Sequence, residues 1–198
     1  MQAPDGDLID RAREFLAGNA PPVAQAFLAD WPAAGDRRTV PPRPLAAARW
    51  LAVAARGNSA AAGALLERLA AATDSLAWRQ TYTAKDLGAS FLDNYCWTEL
   101  VGPRGLAPSE RLACGILVLG PHTLYPSHRH EAYEVYVPLA GTAKWQQGER
   151  GWRDQAPGTA VEHASDVPHA MRTAAEPLVA LYLWRSHNLA QSAQLEAP

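Results

Sequence analysis

The spacing of apolar residues in the first part of the chain is that of short helices. From residue 7 to about residue 72, apolar side chains recur every three or four positions, which is the period of one helix face. The first predicted helix carries Leu8, Ile9, Ala12, Phe15 and Leu16. It ends at the stretch GNAPP, because glycine and proline stop helices.

Two further helices are predicted in this part. Pro44 begins a run of apolar residues that ends at Gly57, and proline at the start with glycine past the end is typical of a helix. Ser59 can cap the next helix, which runs through Leu69. We therefore predict an α-helical segment over residues 1–76.

Beyond Ala77 the apolar period changes to two, which is the period of β-strands. The predicted strands are 95–100, 112–119, 124–130, 133–139, 142–147, 159–163, 169–173 and 178–185. Many short strands separated by glycine and proline, without long helices among them, are typical of a sandwich or barrel. We therefore predict a mainly β domain over residues 77–198.

Composition excludes several classes of protein. The 198 residues carry a net charge of −2, so the chain has no basic surface of the kind that binds nucleic acid. Its apolar runs are shorter than the roughly 20 residues that span a membrane. The acidic N-terminus lacks the basic start and apolar run of an export signal. We expect a soluble cytoplasmic protein whose helical half is available as a homodimer surface.

The chain has two cysteines, Cys96 and Cys114, each with apolar or aromatic neighbours. Two cysteines form neither a disulfide framework nor a zinc cluster in a chain of this length. We predict that both are buried free thiols, because cysteine often packs as a small apolar residue.

The stretch YPSHRHEAYEVYVPLAG concentrates the chemistry of the β half. Alternate residues of a strand point to the same face, so His128 and His130 project together. Glu134 and Tyr136 are an even number of positions from these histidines, so in one strand they would lie on the same face. A strand over residues 124–139 with a local bend would direct all four side chains inward. The alternative is a solvated polar edge.

Further along the chain, His169 follows a proline in the stretch VPHAMRT. Together with His128, His130 and Glu134 it makes three imidazoles and one carboxylate. Imidazole suits zinc, iron, copper and nickel, and a carboxylate extends the range to manganese. These residues therefore predict a site for a divalent transition metal.

The spacing of these residues resembles the cupin superfamily. His128 and His130, then Glu134 and Gly141, match its first motif, and the second motif falls at residues 158–169. Cupins are double-stranded β-helix (jelly-roll) barrels that typically bind one metal, so the resemblance implies that fold with an α-helical N-terminal segment.

Four positions depart from the cupin motifs. In the second motif, Ala164 replaces the usual proline, Asp166 the usual glycine and Thr173 the usual asparagine. His122 stands where the first motif often begins with glycine. These positions shape turns rather than bind metal, so the implied ligands are unaffected.

Over about residues 75–190 the chain resembles the bacterial cupin-type dimethylsulfoniopropionate (DMSP) lyases. The resemblance lies in the stretch YPSHRHEAYEVYVPLAG and in the later stretches TAKW, EHASDVPHAMRT and EPLVALYLWR. It implies one divalent transition metal, Zn, Fe(II), Mn(II) or Ni, with four protein ligands. These ligands are His128, His130, Glu134 and His169. Tyr125 and Tyr136 are the implied pocket tyrosines, with Tyr136 as the base.

The reaction implied by the resemblance is a β-elimination that releases dimethyl sulfide and acrylate. Its substrate is a small zwitterion with a carboxylate and a sulfonium group. A sulfonium group has no proton to donate, so aromatic faces are the side chains that suit it. Tyr125, Trp97 and Trp184 are the candidates for this role.

Two alternatives use the same predicted ligands. One is a cupin dioxygenase or isomerase that acts on another small carboxylate, and the other is a non-enzymatic cupin that binds a small molecule. One fold supports many chemistries, so the fold does not separate them. Tyr136 beside Glu134 favours the lyase, because a dioxygenase needs no base at that position.

Overall fold

The computed structural model describes residues 4–54 and 62–196. The helices in these ranges are Pro4–Asn19 (α1), Pro22–Gln25 (α2), Arg49–Ala54 (α3), Gly63–Ala72 (α4) and Ala84–Leu92 (α5). None of them is long and apolar enough to cross a membrane. The cytoplasmic location and the homodimer stay predictions.

Ten strands follow the helices in the described part of the chain. They are Tyr95–Val101 (β1), Ala113–Leu119 (β2), Leu124–Arg129 (β3), Tyr133–Ala140 (β4), Ala143–Gln147 (β5), Arg153–Gln155 (β6), Val161–His163 (β7), His169–Thr173 (β8), Leu178–Arg185 (β9) and Gln194–Leu195 (β10). They form two five-stranded sheets with the orders β1-β2-β9-β4-β7 and β10-β3-β8-β5-β6. All the strand pairs are antiparallel.

This architecture confirms the predicted fold class, a mainly β barrel with an α-helical N-terminal segment. All eight predicted strands are present, with ends that differ by at most two residues. The two strands that the sequence pattern missed, β6 and β10, are short and lack a buried residue. They therefore carry no apolar alternation to recognise.

The helix prediction was wrong at three places, since α2 and α5 were not predicted and no α-helix begins at Pro44. The second predicted helix begins at Arg49 rather than at Pro44, because the backbone of Arg43 pairs with the segment around Ala77 and stays extended. Its predicted end at Gly57 and the cap at Ser59 lie outside the described residues.

Helix α5 was not predicted. Its N-terminus is capped reciprocally, since the backbone N–H of Thr83 donates to the Asp86 carboxylate at 2.7 Å. A threonine followed three residues later by an acidic residue is the signal that identifies this start.

Helices α1 to α4 pack against the outer face of the first sheet. Ile116 on β2 and Leu181 on β9 point outward into the same buried cluster as Leu16 and Leu66 of the helices. Strand β2 is buried along its whole length, because helices cover one face and the barrel interior the other. This double burial explains its continuous apolar sequence. The division into domains at residue 76 stays a prediction.

Both cysteines are free and fully buried, as predicted. Cys114 belongs to the cluster between the helices and the first sheet, and so does Cys96. Burial raises the pKa of both thiols, so neither is a reactive thiolate at neutral pH.

The turn after β4 depends on a glycine. Gly141 has a φ of +77°, and a Cβ at this position would clash with the backbone carbonyl oxygen of Pro177. We expect Gly141→Ala to lower the free energy of unfolding by about 3 kcal/mol, because it adds a backbone clash to an unfavourable φ. Denaturant unfolding measures this loss.

Gly148 provides the matched control, since its φ is +52° but a Cβ at this position would have no other atom within 4 Å. Gly148→Ala should therefore cost only about 1 kcal/mol, for the unfavourable φ alone. Equal losses in the two variants would contradict the role of close packing at Gly141.

Candidate metal centre

Strand β4 places a polar group inside the barrel. Val135 and Val137 point outward into the cluster beneath the helices, so Glu134 and Tyr136 point inward. Both inward side chains are buried. The alternation of this strand therefore sets the position of the site.

Glu134 lies at the centre of a buried cluster. Its Oε2 is 2.9 Å from Nε2 of His130 and 3.4 Å from Nε2 of His169, and its Oε1 accepts a hydrogen bond from Trp184 Nε1 at 2.5 Å. One ligand atom from each of His130, Glu134 and His169 lies within 4.8 Å of the others. This group could hold a metal ion.

His128 lies beside this group but is not a member of it. Its ring centroid is 4.2 Å from that of His169, and its ring stacks on Tyr125 at 3.9 Å with an interplanar angle of 7°. It is fully buried on β3. The structure thus brings all four predicted ligands together, with three of them in a tighter group.

The expected continuous strand over residues 124–139 was wrong. Strand β3 ends at Arg129 and β4 begins at Tyr133, and the two strands belong to different sheets. His130 lies in the connection, where its Nδ1 is 3.0 Å from the carbonyl oxygen of Ala132. The chain crosses from one sheet to the other here. His128 and His130 therefore lie near Glu134 because the two sheets face each other across the barrel, and not because the three residues share one face of a strand.

The three predicted histidine ligands share one tautomer. In each of them Nδ1 donates a hydrogen bond to a backbone carbonyl oxygen at 2.9 or 3.0 Å. The acceptors are Pro126 for His128, Ala132 for His130 and Val167 for His169. In its neutral form each ring then has a lone pair on Nε2, which is typical of metal-ligating histidines.

The cluster fits a cation. Nε2 of His169 is buried and has no hydrogen-bond partner in the described part of the chain. A buried lone pair without a donor is unfavourable unless a cation satisfies it. Nε2 of His130 and the carboxylate of Glu134 lie close to the same place, so the set of ligand atoms suits a divalent transition metal.

The electrostatics of the cluster follow from burial and from the close contacts. Burial opposes the charged form of Glu134, but His130 and His169 outweigh it and hold the pKa of this carboxyl well below its usual range. Burial and the neighbouring His169 hold the pKa of His128 well below its usual value. Glu134 is therefore a carboxylate and His128 is neutral at neutral pH, which are the forms that bind metal.

His163 is buried close to the group and stacks on His169, with ring centroids 3.9 Å apart. It lies within the second cupin motif, and if that motif were shifted, His163 would take the place of His169 as a ligand. Its Nδ1 faces the amide nitrogen of Gln147 at 3.4 Å rather than a backbone carbonyl oxygen, and its Nε2 is buried without a hydrogen-bond partner within the described residues. Burial lowers its pKa to about 3. The two other histidines of this half, His122 and His187, are exposed.

A cavity of about 240 Å³ opens beside the cluster. All four predicted pocket residues line it: Tyr125, Tyr136, Trp97 and Trp184. Burial and the negative charge of Glu134 raise the pKa of Tyr136 well above its usual value. The hydroxyl of Tyr125 lies 3.1 Å from that of Tyr82.

Sequence reasoning missed several residues of this cavity. Tyr182 precedes Trp184 by two positions on β9, and Glu99 follows Trp97 by two positions on β1, so strand alternation could have found both. Arg104 also lines the cavity, but it lies in a loop and no local pattern places it there.

Two antiparallel sheets that form a barrel, with histidines and a glutamate directed inward, define a cupin fold with a candidate metal centre. Residues 25–180 match the dimethylsulfoniopropionate lyase family. The chain therefore belongs to the DMSP lyase family.

Individual relatives agree with this assignment. The chain is 40% identical over 108 residues to dimethylsulfoniopropionate lyase DddQ of Ruegeria pomeroyi, which is 54% of each protein. It is 30% identical over 130 residues to the putative dimethylsulfoniopropionate lyase DddL of Cereibacter sphaeroides, covering 65% of this chain and 53% of that protein. The chain thus spans about half the length of the curated relatives it matches.

The fold resembles solved DMSP lyases over nearly its whole length. The crystal structure of DddQ from Ruegeria pomeroyi DSS-3 matches with a TM-score of 0.87 and 30% identity, covering 100% of this chain and 98% of that chain. One of the crystal structures of the DMSP lyases RdDddP and RnDddQII matches with a TM-score of 0.87 and 28% identity, covering 98% of both chains.

Proposed function

We propose that this protein cleaves dimethylsulfoniopropionate to dimethyl sulfide and acrylate by β-elimination. The observation that carries this proposal is the position of Tyr136, which shares the wall of one buried cavity with Glu134 and His130. A base next to a candidate carboxylate-binding metal centre is what this elimination needs. Membership of the DMSP lyase family supports the same reaction.

We assign His130, Glu134 and His169 as metal ligands, with His128 as the fourth. The shared tautomer of the three histidines supports this set. We propose one divalent transition metal per chain, Zn, Fe(II), Mn(II) or Ni. The bound metal would act as a Lewis acid toward the substrate carboxylate and would favour the phenolate of Tyr136 by its charge.

Tyr136 is the proposed base. Its phenolate takes the proton next to the substrate carboxylate, and the electron pair of that C–H bond forms the new carbon–carbon double bond. The carbon–sulfur bond breaks, and dimethyl sulfide leaves with the electron pair of that bond. Tyr136 then carries the proton, which must return to solvent before the next turnover.

Trp97, Trp184 and Tyr125 are proposed to surround the sulfonium end. Trp184 is held in place by its hydrogen bond to Glu134, and Trp97 donates to Thr81 Oγ1 at 3.1 Å. One face of Tyr125 is covered by His128, so only its other side is available. Each aromatic face stabilises a desolvated cation by about 2 kcal/mol.

The direct test is to incubate the metal-loaded full chain with dimethylsulfoniopropionate and to measure dimethyl sulfide in the headspace. We expect gas well above a control without protein, together with one acrylate for each dimethyl sulfide. Gas at the level of the control would refute the substrate assignment and leave the cupin fold and the metal centre intact.

A further inference from the structure

Trp184 lies directly opposite Glu134 in the wall of the barrel. The two residues are register partners in the antiparallel pair of β4 and β9, so their side chains point to the same face of the sheet. That face is the barrel interior, since both side chains line the cavity beside the candidate metal group. The pairing of two strands therefore brings an indole ring next to a buried carboxylate.

The two oxygens of Glu134 have different partners. Oε1 accepts a hydrogen bond from Nε1 of Trp184 at 2.5 Å. Oε2 lies 2.9 Å from Nε2 of His130 and 3.4 Å from Nε2 of His169. The carboxylate is therefore oriented with one oxygen toward the indole and the other toward the two imidazoles.

The chemistry of the indole decides what this contact can do. An indole N–H only donates, so Trp184 supports a ligand but is not one itself. A hydrogen bond to an ionised carboxylate is stronger than one between neutral groups, and Glu134 is fully buried. A carboxylate can bind a metal through one oxygen or through both. With Oε1 held by the indole, Oε2 is the oxygen that remains for a metal.

The ring of Trp184 is itself held in place. Its centroid is 4.3 Å from that of His130, with an interplanar angle of 35°. The next residue, Arg185, donates to the Asp30 carboxylate and to the carbonyl oxygen of Ala26, each at 2.7 Å. These contacts anchor the end of β9 to the helical segment. The position of the donor is therefore set by the fold and not by the carboxylate alone.

We propose that Trp184 is a positioning residue of the metal centre, whose N–H holds the carboxylate of Glu134 so that Oε2, and not Oε1, binds the metal. A carboxylate that binds through one oxygen takes one coordination position instead of two, which leaves room for a substrate carboxylate. The inference rests on the proposed ligand set but not on the proposed substrate. It concerns the edge of the indole, whereas the proposed contact with a sulfonium group uses the face.

Trp184→Phe tests this role, because phenylalanine keeps a ring beside His130 but has no N–H. We expect the variant to raise the dissociation constant of Zn about tenfold, as is typical when a group that supports a ligand is lost. We also expect a changed visible spectrum of the Co(II)-loaded chain, because this spectrum depends on the number and arrangement of the ligand atoms. Competition with a chelator measures the affinity, and circular dichroism verifies the fold.

Trp97→Phe is the matched control. Trp97 lines the same cavity and its indole also donates, but to Oγ1 of Thr81 at 3.1 Å and not to a candidate ligand. This variant should leave both the affinity for Zn and the Co(II) spectrum unchanged. Equal changes in the two variants would attribute the effect to the packing of the cavity and would overturn the proposal. An unchanged Co(II) spectrum in Trp184→Phe would also overturn it.

Proton NMR of the unmodified, Zn-loaded chain decides the matter should Trp184→Phe not fold. The indole N–H proton of Trp184 should exchange slowly with solvent and should shift when Zn binds. A rapidly exchanging proton, or one that does not respond to Zn, would contradict the hydrogen bond to a metal ligand. None of these measurements uses DMSP, so a failure to release dimethyl sulfide would leave this inference standing. A chain that bound no metal would refute it together with the ligand set.

Discussion

Replacing Tyr136 by Phe is expected to lower the rate of dimethyl sulfide release by about 10³-fold, in the range that general base catalysis contributes. The variant loses the only atom of this side chain that can accept the substrate proton. Phenylalanine fills the same space against Trp145, whose ring centroid is 4.9 Å away, so the fold should be kept. The variant should bind as much metal as the unmodified protein.

Tyr133 offers the matched control for this experiment. It lies on the same strand but packs with the outward-facing cluster, and its hydroxyl donates to Glu162. Tyr133→Phe should keep nearly full activity. Full activity in Tyr136→Phe would instead assign the base to another residue and would remove the feature that separates a lyase from other cupins.

Replacing His130 by Ala is expected to remove the bound metal and, with it, all measurable dimethyl sulfide release. The variant deletes one of three convergent ligand atoms and leaves Glu134 with a single imidazole contact, from His169 at 3.4 Å. Loss of a direct ligand should lower metal affinity by more than the roughly 10- to 100-fold that is typical when a group supporting a ligand is lost. Elemental analysis after gel filtration measures the metal content.

His163→Asn is the control, because it tests whether His163 rather than one of the proposed histidines binds the metal. His163 is as buried as His130 and stacks on His169, but its Nδ1 faces a side-chain amide instead of a backbone carbonyl oxygen, and it is not a member of the candidate metal group. We expect this variant to keep its metal. The ligand set would be refuted if His130→Ala kept one metal ion per chain or if His163→Asn lost its metal. Either result would favour a shifted second motif with His163 as a ligand.

Local patterns were informative about the strands and about the chemistry. The alternation in β4 distinguishes Glu134 and Tyr136 from their valine neighbours, and the alternation predicted both the strand and its inward face. The pattern was less informative for helices, since the start at Pro44 was wrong. There, the pairing of Arg43 with the distant segment around Ala77 keeps the backbone extended.

The amino-acid sequence by itself determined the mainly β fold, because short-range periodicity carries that information, and the resemblance of its motifs to a known family implied the candidate ligands and the two pocket tyrosines. Only the tertiary structure decided the rest. Histidine tautomers depend on carbonyl groups that loops bring into contact, and these separate His130 from His163. Glu99 and Tyr182 line the same cavity because their strands, β1 and β9, lie far apart in the chain but both pair with β2. Such contacts have no local signature.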